Sequence, residues 1–387
     1  MIKNKCHKLS NVSYFEITFN GSSGIEPEGY AGITHLIEHC MCEGIKPYEK
    51  KYKNYALTWN AETGKHSMKF YIHGLSKYVN KVKNEYTNAI LNYNIPQDIF
   101  ERERNIVITE YMQNYSDQCS CFISNFNRKH FNSCGPIGYI EDLRNLTYKK
   151  FIEYKNKFYS KPSYIGYIHS SKSKDLQLSD LNLNIEFNNI KKYQESVQFG
   201  NFDKYPMESY SDFNAQRIIL LNNILFNDKE LLNNCYAKIF NSCISGGLSS
   251  PLYKELREKL QCVYCLGSDC QKISETQLQL FTIVFCDANK VDIVLKKLKE
   301  TITNIKQFIT KKDFKIALND IKNSIKLTNI VSYNNTNVLS SNYELAYNNF
   351  MSNKLTYKGF INFIDTYLKS NITYHIDNEY IKKEDKK

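Results

Sequence analysis

The chain carries a single tryptophan, seven prolines and fifteen glycines among 387 residues. A collagen-like or fibrous repeat is thereby excluded, and no segment reads as disordered. No apolar stretch approaches the ~18 residues that a membrane-crossing helix requires. Residues 1–10 lack the apolar core of a secretory signal. A cytoplasmic protein without a membrane span is the expectation. In that compartment the twelve cysteines are expected as reduced, buried thiols. They also lack a framework rhythm: Cys40/Cys42 and Cys119/Cys121 are C-x-C pairs, Cys262/Cys265 is a C-x-x-C, and no second C-x-x-C stands at zinc-site spacing. Lys plus Arg exceeds Asp plus Glu by 51 to 40, a formal charge of +11. The lysines are scattered and read as solvated surface. The resulting field weakly favours an acidic peptide, and no nucleic-acid-binding motif accompanies it.

Hydrophobic residues make up 42% of the chain and charged residues 24%, enough for ordinary globular cores. The length suggests two domains. Residues 13–20 alternate apolar and polar side chains as a strand does, and 33–42 read as a helix. A strand is expected at 66–73, a helix at 75–93, and a long helix from Gln97 to Asn114 behind Pro96. A helix at 148–159 and a strand at 164–168 complete the first half. The apolar pattern fades between about 188 and 211. Beyond it come a strand (217–225), a helix (229–242), a Gly246-Gly247 turn, a helix (251–260), strands (264–268 and 277–286) and a helix (289–308). The second half thus repeats the order of the first. The reading is an α+β protein of two tandem homologous domains, each an antiparallel-rich sheet with helices on one face. The domains are expected at 1–190 and 212–387, joined by a linker at 191–211.

The chemistry centres on His35-Leu36-Ile37-Glu38-His39. Histidines at i and i+4 share one face of a helix, so both imidazoles can reach a single ion. Glu38 projects beside them, where a carboxylate can accept a proton from an activated water. The order H-x-x-E-H inverts the commoner H-E-x-x-H and is itself a zinc-peptidase signature. Two histidines on one helix face also occur as packed or surface residues, so the motif needs a third ligand. Glu110 offers one. It stands amid Ile106, Val107, Ile108 and Tyr111, and is expected to be partly buried there and in need of a cation. Glu103, two helical turns earlier, shares its face.

With these residues in place the sequence resembles the pitrilysin/insulinase family of zinc peptidases, which includes the mitochondrial processing peptidases and bacterial relatives. Gly32-Ile-Thr-His-Leu-Ile-Glu-His39 followed by Gly44 is similar to the family's zinc helix. Asn60-Ala-Glu-Thr63 resembles its strand beside the site, and Glu103-Arg-Asn-Ile-Val-Ile-Thr-Glu110 its third-ligand helix. Gly246-Gly-Leu-Ser-Ser-Pro-Leu-Tyr-Lys-Glu-Leu-Arg257, with Tyr264 seven residues on, resembles its Arg/Tyr segment. The resemblance implies one Zn2+ held by His35, His39 and Glu110, with Glu38 as general base and Glu103 as a supporting carboxylate in the catalytic set. It also implies Arg257 and Tyr264 as oxyanion donors, and Asn60 and Ala61 as contacts to the substrate backbone. The chain starts close to the first strand, so the first sheet is expected to lack an edge strand.

The activity implied is peptide-bond hydrolysis, on peptides or a small precursor, inside a closed chamber of four such domains. Two domains form half of that clamshell, so a homodimer or a heterodimer with a paralogous subunit is expected. The competing reading is a non-catalytic subunit of the same fold, which would be expected to have lost zinc ligands. A nucleic-acid or membrane-surface binder is the remote third.

Overall fold

The computed structural model describes residues 1–7, 11–170, 174–181, 183–188, 216–226, 231–272, 277–331, 350, 354–368 and 372–380. The linker expected at 191–211 lies outside the described residues. Those described fall into two compact units, one up to residue 188 and the other from residue 216.

The first unit is built on β1 (Ile2–His7), β2 (Val12–Asn20), β3 (Thr58–Thr63), β4 (Ser67–Leu75) and β5 (Tyr164–Ser170), in the spatial order β1-β5-β2-β4-β3. The β1–β5 pair is parallel and the rest are antiparallel. Alternation along β2 sends Phe15, Ile17 and Phe19 into the core and Tyr14, Glu16 and Thr18 to the opposite face. One face of the sheet is covered by helices. They are α1 (Ile33–Cys42), α2 (Lys46–Lys51), α3 (Ser76–Leu91), α4 (Gln97–Ser116), α5 (Gln118–Phe131), α6 (Ile140–Asn145) and α7 (Tyr148–Phe158). In α1, Ile33, Leu36, Ile37, Cys40 and Met41 are all fully buried. Their three-and-four spacing makes one apolar stripe, and each such side chain contributes roughly 1.5–3 kcal/mol on burial. That stripe presses α1 against Phe70 and Ile72 of β4 in a single core cluster.

One expectation fails here. The sheet does have an edge strand, β1, paired with β5 from Ile2↔Ile165 to His7↔Ser170. An edge strand needs backbone partners on one side only, and it tolerates lysines. The weakly apolar sequence of 2–7 therefore gives no alternation to read.

The second unit pairs β6 (Gln216–Phe226), β7 (Val263–Lys272), β8 (Gln277–Asp287) and β9 (Ile372–Ile376), all antiparallel, in the order β9-β6-β8-β7. Strand for strand this repeats β5-β2-β4-β3 of the first unit. Its helices are α8 (Leu231–Ser245), α9 (Val291–Thr303), α10 (Ile305–Phe308), α11 (Lys311–Val331) and α12 (Tyr357–Tyr367), which pack with one face of the sheet in a second core cluster. Two expected helices differ. The one at 251–260 is π-helical over Tyr253–Lys259. The one at 289–308 breaks at Asn304, whose side chain and backbone N–H both turn back to the Glu300 carbonyl. Ordinary propensity falls off there, over Thr301, Ile302, Thr303 and Asn304. Among the described residues no helix is long and apolar enough to cross a membrane.

Candidate metal centre

The site begins with how α1 is held. Gly32, its N-cap, adopts φ 97° and supplies no side chain to cap the helix. Two acidic side chains from elsewhere take the buried donors that the helix itself cannot satisfy. Glu26 accepts from the backbone N–H groups of Gly32 and Thr34, both at 2.9 Å, and Asp142 accepts from Ala31 N–H at 2.9 Å. Gly138, at φ 80°, lies so close that a Cβ there would stand 2.3 Å from the Gly32 Cα. Burial raises the Glu26 carboxyl to about 8, against the pull of its two backbone donors.

From this anchored helix His35 and His39 project side by side, ring centroids 4.6 Å apart and nearly perpendicular. Their Nε2 atoms lie 3.8 and 3.6 Å from one oxygen, Glu110 Oε2, contributed by α4. These separations are too long for hydrogen bonds. One donor atom from each of the three residues lies within 4.8 Å of the others. Zinc bonds of about 2.0–2.2 Å at tetrahedral angles set neighbouring donors roughly 3.3–3.6 Å apart, so the donor set suits such an ion in chemistry, and the 3.6 and 3.8 Å separations lie at and just above that spacing. Burial, with the His39 ring beside it, lowers His35 to about 4, so its nitrogen lone pair is available at neutral pH.

The two histidines are supported unequally. His39 Nδ1 faces Glu103 Oε2 at 3.4 Å. With its proton on Nδ1, His39 presents a bare Nε2 toward Glu110. Glu103 is buried, and its other oxygen accepts from Arg102 Nε and Nη2 at 3.0 and 2.9 Å. Arg102 also pairs with Glu43, just past the end of α1. His35 Nδ1, by contrast, is buried and has no hydrogen-bond partner among the described residues.

Glu110 is placed differently from expectation: its side chain is 46% exposed. The buried stripe of α4 runs through Phe100, Glu103, Val107, Tyr111 and Tyr115. Ile106, one turn before Glu110, is 44% exposed. The apolar neighbours in sequence therefore point elsewhere on the helix, and Glu110 stands at the rim of the cluster.

Glu38 is buried, and its Oε2 accepts a hydrogen bond of 2.6 Å from the Thr63 hydroxyl. Desolvation raises its carboxyl. Thr63 and His39 pull the other way, and Glu110 and Glu62 push it further up. Thr63 ends β3, on the same face of that strand as Ala61. Asn60 points to the other face, where its Nδ2 donates to the Tyr71 hydroxyl at 3.0 Å. Ala61 and Thr63 thus line the helix side with α1, and the Asn60 side chain does not. Sequence reasoning missed the parts played by Thr63, Glu26, Asp142 and Arg102. Only the period-two alternation from Ala61 to Thr63 carried a signal.

Arg257 and Tyr264 belong to the second unit. The π-helical turn carries Arg257, whose Nη1 donates to the Tyr264 carbonyl at 2.7 Å. Its guanidinium lies 5.0 Å from the Tyr253 ring centroid and 5.4 Å from that of Tyr264. Tyr264 sits at a bulge in β7 and is 76% exposed. The two side chains form one exposed donor pair.

Two sheet-and-helix units of the same topology, with an H-x-x-E-H helix and a distant glutamate in the first, define a two-domain α+β peptidase fold. The comparisons with known proteins agree. Residues 6–133 match the insulinase family, peptidase family M16, and residues 139–321 match the domain described as peptidase M16 inactive domain. The chain belongs to the insulinase family of peptidases. It is similar to an uncharacterized zinc protease of Rickettsia felis, with 22% identity over 310 residues, 76% of this chain and 73% of that protein. Among solved structures, a protease from Helicobacter pylori superposes with TM-score 0.74 at 16% identity, covering 97% of this chain and 96% of the other. A Pseudomonas fluorescens protein, described as a peptidase M16 inactive domain, gives 0.69 at 13% identity, over 97% and 94%.

Proposed function

We propose that the protein is a zinc-dependent endopeptidase acting on peptides or a small precursor peptide. The observation that carries this reading is the convergence of His35 Nε2, His39 Nε2 and Glu110 Oε2 beside the buried carboxylate of Glu38. These three residues would hold zinc, which when bound supplies a Lewis acid and lowers the pKa of water toward ~7. Glu38 takes the proton of the attacking water and delivers it to the leaving amine. Glu103 holds His39 in the tautomer that presents Nε2.

Among the described residues, β3 is one of the two edge strands of its sheet. A peptide adding there would gain backbone hydrogen bonds near Asn60 and Ala61. Arg257 and Tyr264 act as oxyanion donors, supplied by the second unit of a partner copy in a homodimer, or by a paralogue in a heterodimer. Removing such a donor typically costs about 2.7–4 kcal/mol. A cytoplasmic chamber of this kind fits the composition. The alternative, a non-catalytic subunit, is disfavoured by the intact donor set. The residues matching the inactive-domain description begin at 139, after all three donors.

The test is metal content together with hydrolysis of a quenched-peptide mixture. Wild type should hold about one zinc per chain and cleave, while Glu38→Gln holds zinc and does not. A wild type that binds no metal would sink the peptidase reading.

A further inference from the structure

Among the described residues, the Thr63 hydroxyl is the one hydrogen-bond partner of the Glu38 carboxylate. We propose that Thr63 is the positioning residue that aims the general base. The inference rests on the peptidase reading above.

A glutamate side chain has three rotatable bonds, and Glu38 lies just before a donor histidine on a helix whose backbone is already fixed. What remains to be set is the direction of its carboxylate. Thr63 takes Oε2 at 2.6 Å, which leaves Oε1 to receive the proton. Threonine suits this task because its β-branching restricts χ1.

Its mounting is also rigid. Thr63 pairs with Met68 across the β3–β4 hairpin, and Gly64 N–H closes the turn on the Ser67 carbonyl at 2.9 Å. The turn is fastened to the loop before α1. Ser23 Oγ donates to the Gly64 carbonyl at 3.2 Å, Gly24 N–H to that of Lys65 at 2.8 Å, and Gly21 N–H to that of His66 at 2.8 Å. The same loop supplies Glu26, which caps α1. One short segment therefore clamps both the helix that bears Glu38 and the hairpin that aims it.

The experiment compares Thr63→Val, which keeps the shape and loses the hydroxyl, with Thr63→Ser, which keeps the hydroxyl. Zinc content and peptide binding are read alongside turnover. Binding is followed by the fluorescence of Trp59, the chain's single tryptophan, which lies on β3. Thr63→Val should bind zinc and peptide as wild type does, with KM little changed and kcat lower by about 10- to 100-fold, the effect of losing one hydrogen bond to a charged group. Thr63→Ser should restore most of it. The proposal is overturned if Thr63→Val turns over at the wild-type rate while Glu38→Gln is inert, or if Thr63→Ser fails as badly as Thr63→Val. Should Glu38→Gln itself cleave like wild type, the peptidase reading falls, and this inference with it.

Discussion

Glu103 and Glu110 lie seven residues apart on one helix face, yet their surroundings give them different work. Glu110 is open at the rim, while Glu103 is buried between Arg102 and His39. Removing a group that orients a metal-binding histidine typically weakens metal binding by about 10–100-fold. Glu103→Ala should show a loss of that size in competition with a chelator. Glu101→Ala, exposed and bonded to Gln97, should show none. Local spacing made His35, Glu38 and His39 legible, because a helix sets the geometry of i and i+4 by itself. Glu110 and Glu103, more than sixty residues further on, needed a tertiary fold to meet them. The burial expected for Glu110 failed because sequence neighbours on a helix point in different directions.

Helix α1 works as an element because its N-terminus is anchored by acidic side chains from outside it. Glu26 carries the clearest consequence. Its carboxyl rises from 4.5 to about 8 on burial, so between those values the folded protein holds a proton that the unfolded chain has released. The stability linked to that proton is complete below about pH 4.5 and is lost as pH rises through about 8. Glu26→Gln, neutral throughout, should flatten this decline relative to wild type in unfolding midpoints followed by Trp59 fluorescence. Glu26→Ala should cost about 1–3 kcal/mol at every pH, since it strands the Gly32 and Thr34 N–H groups. Most strands and helices of both halves are readable from periodicity, and α1 matches its expected span. The π-helical turn at Tyr253–Lys259 is not readable, because seven residues are too few for the wider π period to separate from the α period. Strand β1 escapes notice because its polar residues are acceptable only at an edge.

At the scale of the whole molecule, the metal donors and Trp59 sit in the first unit and the Arg257–Tyr264 pair in the second. Tryptophan fluorescence therefore reports on the unit that would bind zinc. Zinc at a hundred times its dissociation constant should add about 2.7 kcal/mol to the stability of the folded form. The Trp59 transition should move up on adding zinc and return on adding a chelator, and in Glu110→Ala it should not move. A shift of equal size in Glu110→Ala would separate the stabilisation from this site. By itself the sequence determined the α+β class, the repeated order of elements and the helix with its two histidines and a glutamate. These follow from local periodicity, which the backbone enforces within a few residues. Tertiary structure alone decided that Glu110 stands exposed at the rim, that Thr63 and not Asn60 reaches Glu38, and that Glu26 and Asp142 hold the helix. Such contacts join residues far apart in the chain, and no local pattern records the register that brings them together.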